Sequence, residues 1–326
     1  MASEQGRRIV RRRTRRQVIT WTTVAATISL LAAALPYLEI RGVAAIPVLQ
    51  ALVPLGAVAL LVFALTSMVF RLWAAALVFV IGAGISGIPT LTPIREGEVC
   101  EAGTPLTVLS FNAKLSGADP AALSELIRTG RPDAVVLLET NETLIDAVRI
   151  QNDLADALPY RTREVTQGQA SGSVILSAHP LSLEENVPGS EFDQVSAVAT
   201  MPGDVDVRLA AAHPPPPVWQ PNGWLSGLDD MAAWVDQTSD DRLIVAGDFN
   251  ASFAHPALRR LASELRTGAE AAGPIPWPTW PEGRLVPAFT AIDHVFARDA
   301  APTDWHSYAV DGSDHRAVVA RWTLCA

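Results

Sequence analysis

Three long uncharged segments fill most of the first 94 residues, and they restrict the fold of the chain more than any other feature. The segments are residues 17–38, 42–70 and 72–94. A helix needs roughly 20 mostly apolar residues to cross a bilayer, so each segment is long enough for one crossing. The sequence therefore predicts three transmembrane helices over residues 17–94. A cleaved signal peptide is an alternative for the first segment alone, because the TRRQVI motif at its start resembles a twin-arginine export signal.

The charges around these segments predict their orientation. Seven arginines lie in a tail of residues 1–16, and Arg71 lies between the second and third segments. Cytoplasmic loops of membrane proteins carry an excess of Lys and Arg, so both positions indicate the cytoplasmic side. Three crossings then place the rest of the chain outside the cytoplasm. The segments contain no acidic residue, lysine or histidine, which indicates a membrane anchor without a transport path.

The cysteines of the chain are also consistent with an oxidising location. There are two, Cys100 and Cys325, and they bracket the region that follows the apolar segments. We predict a disulfide between them, as is typical of proteins outside the cytoplasm. Two unpaired buried thiols are the alternative.

After a linker at residues 95–104, residues 105–326 show the alternation of strands and helices that is typical of an α/β domain. A strand is expected at LTVLSFN, and Asp119 followed by Pro120 is a start signal for a helix. A second buried strand then leads to Glu139. Strand, helix and strand follow one another within about 35 residues, which is the spacing of a strand-helix-strand unit.

Polar side chains stand at the ends of the predicted strands. In the stretch LIVAGDFNA, a buried apolar run leads directly to Asp248 and Asn250. Side chains in an extended chain alternate between two faces, so this pair can point the same way, although a simple turn is the alternative. The other polar strand ends are Asn112, Glu139, His213, Asp293, Asp314 and His315. In a layered α/β domain such ends meet at one edge, and their carboxylates and amides suit Mg²⁺, or Mn²⁺ as an alternative, better than structural zinc.

Six stretches in the region from Cys100 to Ala326 resemble, in chain order, motifs of the endonuclease/exonuclease/phosphatase superfamily. They are SFNAKL, LLET, AAAH, GDFNAS, IDHVF and SDHRAV. The resemblance implies an α/β fold, a four-layer sandwich of two mainly antiparallel sheets flanked by helices. It also implies hydrolysis of a phosphodiester or phosphomonoester by an activated water, with Mg²⁺ as cofactor. The resemblance does not extend to the apolar segments.

By resemblance, three motifs hold the metal. Asn112 and Glu139 correspond to the first metal-binding pair, with Glu139 as the direct ligand, and Asp314 helps to hold the ion. The family often has Gln before the metal-binding Glu, whereas this chain has Leu138. One hydrogen bond beside the metal is therefore in question.

The resemblance also assigns catalytic roles. Asp248 and Asn250 correspond to residues that orient the attacking water and the phosphate. His315 corresponds to the general acid/base or transition-state donor, and Asp293 to the carboxylate that orients a catalytic histidine. His213 matches a histidine that the family uses against a phosphate oxygen. These roles fit phosphoryl transfer, which needs charge neutralisation and an aligned nucleophile more than covalent chemistry.

The remaining histidines and one proline run fall outside this pattern. After His213, where the family usually has a Leu, this chain has four prolines at 214–217. They are expected to stiffen the loop that follows His213 and to reshape the substrate cleft. We interpret His294 as a residue that supports the site or the fold. His179, His255 and His306 receive no role.

Together these features predict a membrane-tethered, extracytoplasmic, Mg²⁺-dependent phosphoesterase. A nuclease on the outer face, acting on DNA or RNA, is one alternative, and a non-catalytic surface binding or sensor module is an alternative from another class. A metal-binding structural domain without a substrate is a third. A module that had lost catalysis would be expected to lack part of the motif set, and the chain retains Glu139, Asp248, Asn250, Asp293 and His315.

The charge distribution bears on the substrate. Ten of the 25 basic residues but only four of the 34 acidic residues precede Cys100, so the region from Cys100 onward has a net charge of −15, and Lys114 is its only lysine. Binding to duplex DNA depends on neutralising several phosphates with Lys and Arg. A membrane tether also raises the effective concentration of the domain near lipids. We therefore predict a small or lipid-linked phosphoester as substrate ahead of long duplex DNA.

Overall fold

The chain forms two compact units, one built of apolar helices and the other built around β-sheets. A computed structural model describes residues 15–95, 100, 103–166 and 168–325. The apolar unit contains residues 15–35 and 53–88, and the second unit contains residues 36–52 and the described chain from residue 89 onward. Residues 36–52, which include the end of the first apolar segment and the start of the second, therefore belong to the same unit as the strands.

Helices with few charged residues make up the apolar unit. They are α1 (Arg15–Ala34), α3 (Val53–Val69) and α4 (Trp73–Gly87). Small residues let them approach closely, as a Cβ atom added to Gly82 would lie only 2.5 Å from the Cβ atom of Ser29. Close contact through small side chains is typical of helices that pack within a membrane.

The expectation of three similar spans needs correction. By length and composition, two described helical stretches can each cross a membrane, namely Arg15–Tyr37 and Trp73–Thr90. The middle apolar segment is divided between α2 (Ala45–Ala51) and α3, which are bent by 58°. The pair taken together is long and apolar enough for a third span, whereas α3 alone, with 17 residues, is at the lower limit of length for a crossing. Pro54, beside the bend, has no N–H group to continue a helical hydrogen-bond ladder across it.

Two six-stranded sheets form the centre of the second unit within the described residues. The strands are β1 (Gly103–Asn112), β2 (Ala134–Leu138), β3 (Tyr160–Arg161), β4 (Ser173–Ser177), β5 (Leu181–Asn186), β6 (Val195–Met201), β7 (Val205–Ala212), β8 (Leu243–Asp248), β9 (Arg266–Thr267), β10 (Asp293–Arg298), β11 (Ala300–Ala309) and β12 (Arg316–Cys325). The helices of this unit are α2, α5 (Pro120–Gly130), α6 (Glu142–Arg149), α7 (Leu154–Ala157), α8 (Pro221–Gln237) and α9 (Pro256–Leu261).

The sheets pack face to face, with helices on their outer faces. Their strand orders are β11-β12-β1-β2-β4-β3 and β5-β6-β7-β8-β10-β9. Pairing is antiparallel except for the parallel pairs β1–β2 and β7–β8. One apolar cluster lies between the sheets, a second lies under α8 and α9, and a third lies under α5, α6 and α7. The four-layer sandwich of two mainly antiparallel sheets is confirmed.

Capping residues set the ends of several helices. Asp119 accepts a hydrogen bond from the N–H of Ala122 at the start of α5, and Asn141 accepts one from the N–H of Leu144 at the start of α6. These caps satisfy backbone donors that the first helical turn leaves without partners. Helices α6 and α7 do not join into one, because the backbone at 152–153 is left-handed and separates them.

The two cysteines lie together, with Cys100 shortly before β1 and Cys325 at the end of β12. The structure joins Cys100 to Cys325 in a disulfide with a Cα–Cα distance of 5.1 Å. Gly103 is the residue opposite Cys325 in the antiparallel pair of β1 and β12. The bond therefore closes the first strand of the unit onto its last strand.

Candidate active site

The polar strand ends of both sheets meet at one edge of the sandwich. In each sheet two parallel strands end there, and the antiparallel strand paired with one of them begins there. The topology therefore brings residues that are up to 203 positions apart into one cluster, as expected for the strand-end ligand sites of α/β folds. The clustered residues are Asn112, Glu139, His213, Asp248, Asp293 and His315.

Asn112 connects the two sheets at this edge. Its side-chain Nδ2 donates to Oε1 of Glu139 and to Oδ2 of Asp248, both at 3.0 Å. Its Oδ1 accepts from the backbone N–H of Lys114 at 2.9 Å. The amide is fully buried and holds two carboxylates in place. Its predicted role as one of the metal-binding pair stays a prediction.

His315 and Asp293 form a buried acid–imidazole pair. Nδ1 of His315 lies 3.1 Å from both carboxylate oxygens of Asp293, and Nε2 lies 3.6 Å from Oδ2 of Asp248. Burial lowers the pKa of His315, but the charges of Asp293 and Asp248 outweigh burial and raise this pKa to about 10. The imidazole therefore carries a proton on each nitrogen at neutral pH, and Nε2 can donate into the site.

Asp248 is a buried carboxylate with a second acid close by. Only 1% of its surface is exposed. Burial and the charge of Asp293 raise the pKa of Asp248 to about 6, although His315 acts in the opposite direction. Its Oδ1 accepts from the backbone N–H of Asn250 at 2.8 Å. A carboxylate held this way can accept a proton or bind a cation.

A strained loop after β1 surrounds Glu139. Lys114, Leu115 and Ser116 all have positive φ, and so does Glu139, at 49°. The N–H of Leu115 donates to Oε2 of Glu139, and the N–H of Ser116 donates to its carbonyl oxygen. Left-handed backbone costs such residues about 1–2 kcal/mol each, so these hydrogen bonds maintain an unfavourable conformation at the site. The sequence has no glycine at 114–116 that would have predicted this loop.

His213 is buried without a close partner for its ring. It is 1% exposed, and among the described residues no group lies within hydrogen-bonding distance of Nδ1 or Nε2. Nε2 is 3.7 Å from Oε1 of Glu139 and 4.0 Å from Oδ2 of Asp248. Burial lowers the pKa of His213, although the charge of Asp248 acts in the opposite direction. Buried polar atoms without a partner are rare, so this ring is suited to a bound substrate oxygen.

The side chain of Gln194 supports this histidine, and the sequence did not identify it. Oε1 of Gln194 accepts from the backbone N–H of His213 at 2.7 Å, and the ring of Phe192 lies 5.1 Å from the imidazole, centroid to centroid. Neither residue stands in a recognisable motif. Only the packing of the 192–194 turn against β7 reveals them.

The two other predicted site residues make contacts at the margin of the cluster. Nδ2 of Asn250 donates to the carbonyl of Pro214 at 3.1 Å, and the backbone of Asn250 has a φ of 49°. Oδ2 of Asp314 accepts from Nη2 of Arg284 at 2.9 Å. The roles assigned to both residues by resemblance stay predictions.

His294, interpreted from the sequence as support for the site or the fold, contacts the loop that follows Asp248, and its role stays a prediction. Its Nε2 lies 3.0 Å from the carbonyl oxygen of Ala251, in the loop that follows Asp248. Its ring stacks on Phe296 at 5.2 Å. Burial lowers the pKa of His294, so the ring is neutral and donates to this carbonyl from Nε2.

The donor set fits a divalent cation. Atoms of Asp248, Asp293 and His315 lie within 4.8 Å of one another, and because the imidazole is protonated on both nitrogens the available ligands are the carboxylates. Two of these groups are carboxylates buried side by side, and the negative charge of Asp293 adds to burial in raising the pKa of Asp248. A hard cation with oxygen ligands would relieve that excess charge. The carboxylate of Glu139 adjoins the group through Asn112.

Comparisons with known proteins agree with this arrangement. The model of the Endonuclease/Exonuclease/phosphatase family matches residues 109–315. No curated protein matches the chain. Among solved structures, D. rerio TDP2 complexed with a single-strand DNA product has 15% identity and a TM-score of 0.55, covering 68% of this chain and 99% of its own.

Two further solved structures show the same fold. The human Nocturnin catalytic domain with a bound sulfate anion has 15% identity and a TM-score of 0.51, covering 67% of this chain and 93% of its own. A functionally unknown conserved protein from Enterococcus faecalis V583 has 11% identity and a TM-score of 0.52, covering 67% and 99%. At these identities, the likeness shows the fold.

Proposed function

The chain belongs to the endonuclease/exonuclease/phosphatase family, and from that premise we propose that it is a Mg²⁺-dependent phosphoesterase that hydrolyses its substrate with an activated water. The observation that carries the proposal is the buried pair of Asp293 and His315 beside Asp248, at the edge where both sheets present their polar strand ends. A structural metal site would not need a protonated imidazole held against two acids.

Each side chain of the cluster has a separate role in the proposed hydrolysis. Asp248 accepts a hydrogen bond from the attacking water and orients it, with Asn250 beside the phosphate. His315 donates from Nε2 to an oxygen of the phosphate as negative charge develops on that oxygen. Asp293 fixes the orientation of the imidazole by accepting a hydrogen bond from its Nδ1. His213 contacts a second phosphate oxygen with a ring nitrogen that has no close protein partner among the described residues.

The carboxylates of this cluster would hold the cation. We assign Glu139 and Asp248 to it, with Asn112 and Asp314 as further ligands, and Mn²⁺ as an alternative ion. The chemistry that bound Mg²⁺ supplies is neutralisation of charge on the phosphate. Oδ2 of Asp314 accepts from Arg284, so Asp314 would bind the ion through Oδ1 or share Oδ2 with Arg284.

We further propose that the second unit, which we call the catalytic unit, lies outside the cytoplasm. It would be held by a membrane anchor, with the N-terminus of the chain in the cytoplasm. Residues 36–52 and the catalytic strands form one compact unit, so they lie on the same side of a membrane. That condition is met if α1 crosses outward, α3 crosses back inward and α4 crosses outward again. Arg71, between α3 and α4, then lies on the cytoplasmic side. Green fluorescent protein fused after Ala326 should then stay dark, and bright fluorescence would contradict this topology.

A lipid-linked or small phosphoester is the proposed substrate class. Loops that leave the site strands carry exposed apolar side chains, while the unit has one lysine and a large excess of acidic residues. Leu115 follows β1, Val218 and Trp219 follow His213, and Leu285 adjoins the Arg284 that contacts Asp314; all four are more than half exposed. Such a rim suits an amphiphilic substrate better than a polyanion.

Hydrolysis of nucleic acid remains the second candidate, since the solved TDP2 of similar fold holds a single-strand DNA product. Turnover by the purified full-length protein should be compared on phospholipid headgroup esters, small phosphoesters, plasmid and single-stranded DNA, with Mg²⁺ or a chelator, at about 50 and about 200 mM salt. Steeply salt-sensitive cleavage of DNA alone would favour the nuclease.

Matched histidine variants make this experiment specific. His315→Ala should abolish Mg²⁺-dependent turnover, whereas His306→Ala should not, because His306 is exposed and pairs with Asp304 on β11. Absence of turnover on every substrate by the wild-type chain would instead favour a binding or sensor module.

A further inference from the structure

The segment of residues 36–52, which lies in sequence between α1 and α3, packs on α8 and α9 of the catalytic unit. Glu39 pairs with Arg260 at 2.6 Å, and Arg41 pairs with Asp229 at 2.8 Å. The carbonyl oxygen of Pro36 accepts from Arg259. Three basic residues, two acidic residues and one carbonyl thus connect the segment to the two helices.

The apolar side of the segment faces the same two helices. Pro47 and Gln50 of α2 are buried. The segment and the helices leave a void of only about 10 Å³ between them, which is too small for more than one water molecule. Residues lining this void include Leu38, Val43 and Ile46 from the segment, and Trp224, Leu225 and Ala257 from α8 and α9.

His255 connects the segment to the loop that carries Asn250. The backbone N–H of Ser252 donates to Nδ1 of His255 at 2.9 Å, so Nδ1 carries no proton. Nε2 is then protonated and donates to the carbonyl oxygen of Pro47 at 2.9 Å. The ring is 1% exposed, and burial lowers its pKa to about 4, which is consistent with this neutral form.

Trp224 provides a second connection between the segment and this loop. Its indole lies against the segment, and Nε1 donates to the carbonyl oxygen of Asn250 at 3.1 Å. The rings of Trp224 and His255 also meet edge to face, with centroids 5.4 Å apart. Two side chains that contact the segment therefore hold the backbone on both sides of Ala251.

We propose that residues 36–52 are a positioning element of the active site, and that His255 and Trp224 transmit their position to Asn250 and Asp248. Asn250 adopts a left-handed backbone conformation that needs external support, and its N–H anchors Asp248. Displacement of this loop by a fraction of an ångström would misplace the group that orients the attacking water. The catalytic unit therefore depends on chain that precedes α3. The catalytic consequence rests on the proposed phosphoesterase function, whereas the coupling between segment and loop does not.

Two conservative variants of His255 separate this role from a local structural role. In His255→Gln the side-chain amide nitrogen can reach the position of Nε2 and donate to Pro47. In His255→Asn the amide oxygen can replace Nδ1 as the acceptor for Ser252, but nothing reaches Pro47. His179→Gln is the matched control, because His179 contacts Asp133 at the far end of β2 from Glu139.

The readout that decides the coupling is hydrogen exchange of the full-length protein in detergent. We expect exchange in residues 36–52 and in residues 249–255 to rise together, by about tenfold or more, in His255→Asn, and to rise much less in His255→Gln. The double variant Glu39→Gln with Arg41→Ala, which leaves the core intact, should also speed exchange at 249–255. The control should change neither region.

Turnover provides a separate readout. His255→Asn should lower kcat about tenfold with little change in KM, because the substrate-contacting groups remain while their alignment is lost. The inference is overturned if His255→Asn behaves as wild type and His255→Gln does not, since His255 would then only cap the turn at 252–255. Unchanged exchange at 249–255 in the double variant also overturns it. Lack of any phosphoesterase activity in the wild-type chain would refute the proposed function and leave the exchange result to decide the coupling.

Discussion

Replacing Asp293 by asparagine tests the central pair of the site. Asp293 is 2% exposed, and both its oxygens lie 3.1 Å from Nδ1 of His315. Asparagine has nearly the same shape, and its Oδ1 can still accept the Nδ1 proton. The substitution therefore removes the negative charge from beside the imidazole while keeping one hydrogen bond.

The size of the effect follows from the pKa of His315. Burial lowers this pKa, yet it rises from 6.5 to about 10, and the charge of Asp293 is the largest cause that raises it. Loss of one adjacent opposite charge lowers a pKa by about 1–3 units. A base with a raised pKa keeps its proton until the pH passes that value. The alkaline limit of activity should therefore move down by about 1–3 pH units in the variant.

The pH dependence of Mg²⁺-dependent turnover measures this shift. We expect kcat of Asp293→Asn to fall about tenfold for each pH unit above the lowered pKa of His315, up to the about 10²–10⁴-fold that a positioned acid contributes. The deficit should widen as pH rises. Asp304→Asn is the matched control, because Asp304 is a partly exposed Asp on β11 that pairs with Arg321 away from the site. An unchanged alkaline limb together with kcat within about twofold of wild type would refute the assignment of His315 as a proton donor.

Three further predictions concern metal, disulfide and acid stability. Glu139→Gln should raise the Mg²⁺ concentration for half-maximal turnover by at least about tenfold, because it removes charge from a predicted ligand; an unchanged titration would exclude Glu139 from the metal site. Non-reducing mass spectrometry of protein purified from membranes should show Cys100 linked to Cys325, and loss of the link should lower the free energy of unfolding by up to about 5 kcal/mol in the chain-entropy model; freely alkylated thiols would contradict it. Burial lowers the pKa of His255 to about 4 in the folded protein, so the unfolded chain takes up this proton first as pH falls from 6.5. The free energy of unfolding should therefore fall by about 3 kcal/mol by pH 4. Urea unfolding should show that this loss disappears in His255→Gln, and equal pH dependence in both proteins would count against it.

Local sequence patterns were sufficient to predict the main parts of the fold and the family. Apolar runs that end in a single polar residue predicted strands ending at Asn112 and Asp248, because alternation and burial in a strand depend on near neighbours. The start of α5 at Asp119 followed the same local logic of capping. The six ordered motifs predicted the two-sheet sandwich that the topology confirms.

Only the tertiary structure decided which polar groups meet and what supports them. Asn112 contacts Glu139 and Asp248 because two sheets pack face to face, and the left-handed loop at 114–116 persists because Glu139 accepts its N–H groups. The apolar pattern of residues 42–70 predicted one span, yet α2 belongs to the same unit as the sheets and His255 donates to Pro47. Contacts between residues 208 positions apart depend on the packing of whole elements. The hydrophobic pattern of a segment predicts that one of its faces is buried. Which element packs on that face depends on shape complementarity and hydrogen bonding across the fold.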